Sequence, residues 1–235
     1  METRTSKDII CSLLALHPDI DLVTLFEPPA APSIQDRLKS NSVTSTLVAS
    51  GLKIRSELGL PFWDSLLVSC FGVGAAAVPV VEKALFHNLS QGRTTPLLAS
   101  SWSTSAVDDA IEKLAIGTML VFSSRVKLQS GTCKHIPLLD FHVPTAPQNQ
   151  ELVVFIANSL DSRGGYILNS GKSYHFYGKS LLEEDQLPVF LGKALLFCPF
   201  IDRAWVAHQL IEGACGLRIS QKPGGRSIPE LVVEL

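Results

Sequence analysis

Apolar residues recur at helical spacing through much of the first hundred residues, in runs separated by turn signals. This pattern predicts helices over residues 6–17, 33–58 with a break near Ser42, 62–71 and 78–88. The Ser- and Thr-rich residues 92–103 are predicted to form a connecting loop. We therefore expect residues 1–103 to form a helical N-terminal region.

The pattern changes near residue 104, where helical and alternating periodicity follow one another along the chain. Strands are predicted over residues 119–128, 135–143, 166–168, 174–176, 217–220 and 230–235. Helices are predicted over residues 105–116, 148–160, 185–197 and 203–213. Hairpins mixed with helices are typical of an α+β fold, so residues 104–235 are expected to form an α+β core.

The composition is that of a globular protein with a large apolar share. Hydrophobic residues make up 46% of the chain and charged residues 18%, which indicates a buried core or a partner surface and argues against disorder. The longest uncharged stretch, residues 65–81, is interrupted by Gly72, Gly74 and Pro79. It is therefore expected to be a buried helix end and turn rather than a membrane span. No signal-peptide cleavage pattern follows the apolar residues 9–16, so secretion is not expected.

The five cysteines are scattered along the chain and form no C-x-x-C pair. Their spacing favours a reducing cytoplasm, where we expect the protein to reside. Structural zinc sites usually present four ligands as two close pairs, so no structural zinc is predicted. Cys133 and His135 are interpreted as a loop thiol beside a loop imidazole.

The net charge of −2 gives no indication of a polyanion-binding surface over the whole molecule. A site for a nucleotide or a nucleic acid must therefore be local. Basic residues slightly outnumber acidic ones between Arg163 and Arg226, so the C-terminal part of the chain is mildly basic.

Asp140 and His142 lie two residues apart on a predicted strand. Because side chains alternate between the two faces of a strand, both point to the same face. A carboxylate and an imidazole on one face suit a divalent metal ion. A surface Asp beside a hydrogen-bonded His is the alternative interpretation of this pair.

A second polar segment contains Gly171, Lys172 and Ser173, followed by His175. The segment is not a P-loop, because Tyr166 stands where the first glycine is required and a strand, not a helix, follows. Ser173 and His175 share a strand face near Lys172, an arrangement that suits a triphosphate. The alternative is a polar hairpin tip in which Ser and His satisfy each other.

Two further segments carry charge next to predicted elements. Asp202 follows three apolar residues and precedes a helix, so it is either a ligand or simply a helix N-cap. Arg218 and Ser220 share a strand face and Lys222 follows, which places phosphate-binding charges together. Solvated basic residues at a strand end are the alternative.

Taken in order, these four segments resemble the motifs of the archaeo-eukaryotic primase (primase-polymerase) superfamily, in a divergent bacterial-type form. Its members have a D-x-D or D-x-E strand, an S-x-H strand, a hydrophobic-Asp motif and an Arg strand with a following Ser and Lys. The matching residues are Asp140, Ser173, His175, Asp202, Arg218, Ser220 and Lys222. The resemblance covers residues 119–235 and implies an RRM-like core with a mixed or antiparallel sheet.

The resemblance implies a template-dependent nucleotidyltransferase, such as a DNA primase, that joins nucleoside triphosphates by two-metal phosphoryl transfer with Mg²⁺ or Mn²⁺. The implied catalytic residues are Asp140, His142, His175 and Asp202. The implied metal ligands are Asp140, His142 and Asp202. The implied nucleotide-binding residues are Lys172, Ser173, His175, Arg218 and Lys222.

His142 departs from the pattern, because the superfamily has an acid at this position. A neutral imidazole suits Mg²⁺ poorly and leaves the site one negative charge short. The chain is therefore expected to be either a primase with an unusual metal preference or an impaired nucleotide or nucleic-acid binding module that keeps the fold. A third hypothesis is that the order of motifs is coincidental and that Asp140, His175 and Asp202 lie far apart.

The expected partners follow from the same resemblance. They are nucleoside triphosphates, a DNA or RNA template, and protein partners such as a helicase or other subunits of a replication, repair or defence assembly. The high apolar content favours a protein partner, and no membrane association is expected.

Overall fold

The computed structural model describes residues 3–29, 42–84, 92–222 and 227–235 of the chain. The helices in these ranges are α1 (Ser6–Leu16), α2 (Ser42–Leu58), α3 (Phe62–Ser69), α4 (Val78–Ala84), α5 (Thr104–Glu112), α6 (Pro147–Leu160), α7 (Gln186–Leu195) and α8 (Arg203–Glu212). The strands are β1 (Ile20–Glu27), β2 (Arg93–Leu98), β3 (Val121–Ser123), β4 (Arg125–Leu128), β5 (Cys133–His135), β6 (Leu138–Asp140), β7 (Gly165–Asn169), β8 (Tyr174–Gly178), β9 (Leu182–Glu183), β10 (Gly216–Arg218) and β11 (Glu230–Glu234). The mixture of helices and antiparallel sheets confirms the α+β class.

The chain forms two compact units, which divide it differently from the predicted boundary between residues 103 and 104. The first unit contains Met1–Pro29 and Gln91–Leu235, and the second contains Ala30–Ser90. The N-terminal segment belongs to the first unit because its strand β1 pairs with three strands that follow residue 92. The N-terminal region is therefore not a separate helical body.

Strand β1 is the centre of the larger sheet of the first unit. It pairs with β2 on one side and with both β3 and β4 on the other, all antiparallel. Further from β1, β10 pairs with β3, β5 pairs with β4, and β9 pairs with β5. The pairing of β4 with β5 across a turn containing Gly131, with φ of 86°, confirms the predicted hairpin.

The smaller sheet has the order β11-β7-β8-β6, again antiparallel. Strands β7 and β8 form a hairpin, as predicted, and every residue of β8 is buried. Leu139, Ile167 and Phe176 are cross-strand neighbours and lie in the hydrophobic core. The neighbouring positions along these strands point to the opposite face, where the polar residues of β6 and β8 lie.

Two strands in the first hundred residues correct the prediction of a mainly helical region. β1 was not distinguished because its residues 22–26 are almost all apolar, and a short apolar run has no clear period. β2 lies in the predicted loop of residues 92–103, where its exposed Thr94 and Thr95 gave no apolar alternation. The predicted strand over residues 119–128 is divided in two at Ser124.

The second unit is described over residues 42–84. α2 packs closely on α3, where a Cβ added to Gly51 would lie 3.0 Å from the Cα of Leu66. The uncharged residues 65–81 form a helix end and turn as predicted, but residues 71–76 are exposed rather than buried. The predicted helical residues 33–41 and 85–88 lie outside the described residues. In the described part of the chain, no helix has the length and apolarity needed to cross a membrane.

Candidate functional site

Asp140 and His175 lie side by side on the smaller sheet. Asp140 is the last residue of β6, and the register pairs it directly with His175 on β8. Their side chains therefore share a face, with Oδ1 of Asp140 3.6 Å from Nε2 of His175. The side chain of Asp140 is 32% exposed and that of His175 is 6% exposed, so the carboxylate forms the accessible part of the pair.

Asp202 lies on the other side of Asp140. The backbone N–H of Asp202 donates to the carbonyl of Asp140 at 3.1 Å, and the N–H of His142 donates to the carbonyl of Phe200 at 2.7 Å. These bonds flank an antiparallel bridge between Phe141 and Ile201 and place Asp202 opposite Asp140. His175, Asp140 and Asp202 thus form a row across one sheet face, which we call the polar row.

The polar row excludes the hypothesis that the three residues lie far apart. Asp202 also has the alternative role considered for it, because its Oδ1 accepts the N–H of Trp205 at 3.0 Å and caps α8. Capping uses one carboxylate oxygen and leaves the negative charge in place, so the cap and a ligand role are compatible. The helix start holds the carboxylate beside Asp140.

His175 is neutral in this setting. Burial, together with the smaller effect of the positive charges of Arg218 and Lys222, lowers the pKa of its imidazole to about 3. A neutral imidazole has one N–H donor and one acceptor nitrogen, so His175 can donate to an oxygen but carries no charge of its own. The shift also shows that Arg218 and Lys222 lie near the polar row.

Ser173 anchors the segment that contains His142. Its hydroxyl donates to the carbonyl of Phe141 and accepts the N–H of Val143 at 3.1 Å. The hydroxyl is therefore engaged with backbone and not with His175, unlike the hairpin-tip alternative. Lys172 is exposed at the tip, next to Gly171 with φ of 96°.

Arg218 is buried, with 8% of its surface exposed, and its guanidinium binds backbone carbonyls. One terminal nitrogen donates to the carbonyls of Ser220 and Ser227, both at 2.8 Å, and the other donates to the carbonyl of Ser170. The guanidinium is therefore engaged with backbone on both terminal nitrogens, and its bond to Ser170 connects the Arg strand to the β7–β8 turn. The solvated alternative for Arg218 is wrong.

No group of three or more His, Cys, Asp or Glu side chains that could hold a metal ion occurs among the described residues. His142 is half-buried and lies two residues beyond Asp140, after the end of β6. Two adjacent carboxylates are nevertheless suitable oxygen ligands for Mg²⁺, which is commonly held by one or two carboxylates, water and substrate phosphates. The carboxylate oxygens of Asp140 and Asp202 are thus donors of the type that a divalent cation accepts.

One polar group near the site, Tyr177, was not identified from the sequence, and another in the larger sheet, His135, was assigned to the wrong kind of element. Tyr177 lies two residues after His175 on β8, so alternation alone could have placed its hydroxyl on the same face. In the larger sheet, the imidazole of His135 is hydrogen bonded to Ser124 at 3.0 Å. The interpretation of His135 as a loop residue was wrong, because it lies on β5 and is buried.

Comparison with known proteins agrees with this geometry. A family model described as archaeo-eukaryotic primase 1D-like matches residues 99–229, which include the polar row, Arg218 and Lys222. No curated protein and no solved structure gave a match. Because the matched residues make up more than half of the chain and contain every motif of the site, the protein belongs to the archaeo-eukaryotic primase superfamily as a 1D-like member.

Proposed function

We propose that the protein is a primase-type nucleotidyltransferase that joins nucleoside triphosphates on a DNA or RNA template. The observation that carries the proposal is the polar row, in which two carboxylates and a neutral imidazole share one sheet face. Membership of the primase superfamily supports this type of reaction. We assign the catalytic core to residues 104–235, with β1 as a structural strand of the same unit.

The proposed roles follow from the position of each side chain. Asp140 and Asp202 hold divalent cations, which when bound stabilise the attacking and leaving oxygens of the phosphoryl transfer. His175 offers an N–H to a phosphate oxygen, and Lys172 and Lys222 supply positive charge. These roles leave His175 free of proton transfer, because its low pKa keeps it neutral throughout the physiological range.

Ser173 and Arg218 are assigned differently from the triphosphate contacts that the superfamily resemblance implies. Their hydrogen bonds to backbone fix the β7–β8 turn and the segment after Asp140. We propose that both residues shape the nucleotide site, and that Arg218 adds a buried positive charge near His175. Its charge then acts on the triphosphate through space.

A protein partner and a reducing compartment complete the proposal. Large apolar side chains are exposed on three helices of the first unit, at Phe155, Val189 and Ile211. The proposed partner is a helicase or another subunit of a replication, repair or defence assembly. The five cysteines are all free, which suits the cytoplasm.

Primer synthesis tests the proposal. The protein is incubated with a single-stranded template, labelled nucleoside triphosphates and either Mg²⁺ or Mn²⁺, and products are resolved by length. We expect template-dependent products that Asp140→Asn reduces at least 100-fold, because the change removes a charge without changing the shape of the side chain. The absence of wild-type product with both metals, on both DNA and RNA templates, would contradict the proposal.

The second candidate is a nucleotide-binding module without polymerase activity. It is favoured by His142 in place of an acid and by the lack of a three-ligand metal group in the described part of the chain. This candidate predicts tight binding of ATP with no product. The variant His142→Asp separates the two, because an added carboxylate should create or increase Mg²⁺-dependent synthesis only where the remaining machinery is intact.

A further inference from the structure

Two buried polar atoms on β8 lack a hydrogen-bond partner among the described residues. They are Nδ1 of His175 and the hydroxyl oxygen of Tyr177. His175 is 5% exposed and Tyr177 is fully buried. An unsatisfied buried polar group is destabilising, so two on one strand require an explanation.

The two atoms lie on the same face of β8, because the residues are two apart on a regular strand. They are also chemically complementary. A tyrosine hydroxyl donates a hydrogen bond, and a neutral imidazole whose Nε2 carries the proton has an acceptor at Nδ1. The positive charge of Arg218 acts on the pKa of both side chains, so both lie near the same guanidinium group.

We propose that Tyr177 is a positioning residue for His175, and that its hydroxyl donates to Nδ1 of His175 through one buried water molecule. Buried waters commonly bridge polar groups that the protein itself leaves unsatisfied. This connection fixes the tautomer of His175, so that the N–H is at Nε2 and points towards Asp140. The inference rests on the proposed function, in which that N–H contacts a phosphate oxygen of the nucleotide.

Removing the hydroxyl distinguishes this arrangement from an unused polar group. If the hydroxyl makes no interaction, Tyr177→Phe should leave the thermal midpoint unchanged or raise it, because a desolvated group is removed. If the hydroxyl is bridged to His175, the same variant should lower the midpoint. Tyr166→Phe is the matched control, because Tyr166 is buried and is the cross-strand neighbour of Tyr177 on β7.

The tautomer is read directly by NMR of protein labelled with ¹⁵N-histidine, in the absence of metal and nucleotide. The variant His175→Gln assigns the signals of His175. We expect the wild type to show a protonated Nε2 and an unprotonated Nδ1. In Tyr177→Phe both nitrogen signals should move towards those of a tautomer mixture, whereas Tyr166→Phe should leave them in place. A protonated Nδ1 in the wild type, or unchanged signals in Tyr177→Phe, would overturn the inference.

Titration with ATP and Mg²⁺ links this arrangement to the proposed function. The loss of one positioning hydrogen bond should weaken ATP binding about fivefold in Tyr177→Phe and leave Tyr166→Phe unaffected. The two proposals can fail separately. If the wild type does not bind ATP but Tyr177→Phe changes the tautomer of His175, only the proposed function is refuted. If the wild type binds ATP but Tyr177→Phe leaves the tautomer unchanged, only the inference is refuted.

Discussion

The two buried histidines of the first unit, His135 and His175, lie in surroundings that differ in one decisive respect. His135 is hydrogen bonded through Nδ1 to Ser124, whose hydroxyl also accepts the N–H of Cys215 at 2.8 Å. His175 has no partner for Nδ1 among the described residues, and its Nε2 faces the half-exposed carboxylate of Asp140. Nδ1 of His135 is therefore hydrogen bonded within the protein, whereas Nδ1 of His175 is not, and His175 lies beside an accessible acid.

The surroundings of each histidine, and not its residue type, distinguish a structural hydrogen-bonded pair from a candidate binding site. Both histidines are accompanied by a serine in the sequence or in space, and burial lowers the pKa of both imidazoles. The charged groups near His135, Arg125 and Glu184, form a salt bridge with each other, whereas His175 faces the carboxylate of Asp140 directly and has a second carboxylate on the neighbouring segment. The Nε2 side of His175 therefore faces a candidate binding site, whereas Nδ1 of His135 is held by Ser124.

The largest effect is expected at Asp202, where charge and helix capping can be separated. Asn caps a helix about as well as Asp, so Asp202→Asn removes the charge and keeps the cap. We expect this variant to lose at least 100-fold in the rate of nucleotide incorporation with little change in the free energy of unfolding. Asp202→Ala should lose the same activity and about 1 kcal/mol of stability as well. Full activity in Asp202→Asn would limit Asp202 to its capping role.

Ser124, which contacts His135, and Ser173, which lies beside the polar row, are expected to contribute differently to the free energy of unfolding. Ser124→Ala leaves the buried Cys215 N–H and the His135 imidazole without their partner, so it should reduce the free energy of unfolding by about 3 kcal/mol. Ser173→Ala removes bonds from half-buried backbone and should cost about 1 kcal/mol. Urea denaturation measures both values. A larger loss in Ser173→Ala than in Ser124→Ala would show that the hydrogen bonds of Ser124 contribute less to stability than those of the segment beside the polar row.

The smallest expected effect is the pH dependence contributed by His135. Burial, and to a lesser degree the charge of Arg125, lowers the pKa of His135 below its ordinary 6.5, while Glu184 opposes the shift. The unfolded chain therefore binds this proton first, so the free energy of unfolding falls as the pH drops through 6.5. The decline stops only below the lowered pKa of the folded state.

The variant His135→Asn isolates this contribution, because any contribution of His175 is present in both proteins. We expect the unfolding free energy of the variant to fall less steeply between pH 7.5 and pH 5 than that of the wild type. The amide of Asn can still form a hydrogen bond with Ser124. Equal slopes in the two proteins would show that His135 is not buried as a neutral group.

The sequence predicted the elements of the second half of the chain well, because their signals are local. α6 and α8 have helical spacing, and β7 and β8 flank a turn whose Gly171 has a positive φ. The same methods failed for β1, whose residues 22–26 are almost all apolar and have no clear period. Its role depends on pairing with strands about a hundred residues away, which no local window contains.

The sequence proposed residues for the candidate site, whose roles stay predictions, but it did not predict their arrangement. The order of motifs identified Asp140, His175 and Asp202, and the structure places them in one row. The engagement of Ser173 and Arg218 with backbone depends on three-dimensional contacts that spacing does not encode. Tyr177 carried a weak signal through alternation on β8, but its missing partner is visible only in the folded chain.

Binding of Mn²⁺ in the presence of a non-hydrolysable nucleoside triphosphate analogue tests the polar row most directly. Electron paramagnetic resonance measures free and bound Mn²⁺ for the wild type and for the variants Asp140→Asn, Asp202→Asn and His135→Asn. We predict nucleotide-dependent Mn²⁺ binding that each of the two aspartate variants weakens at least tenfold and that His135→Asn leaves unchanged. Equal Mn²⁺ affinity in the wild type and both aspartate variants would contradict the assignment of Asp140 and Asp202 to a single metal–nucleotide site.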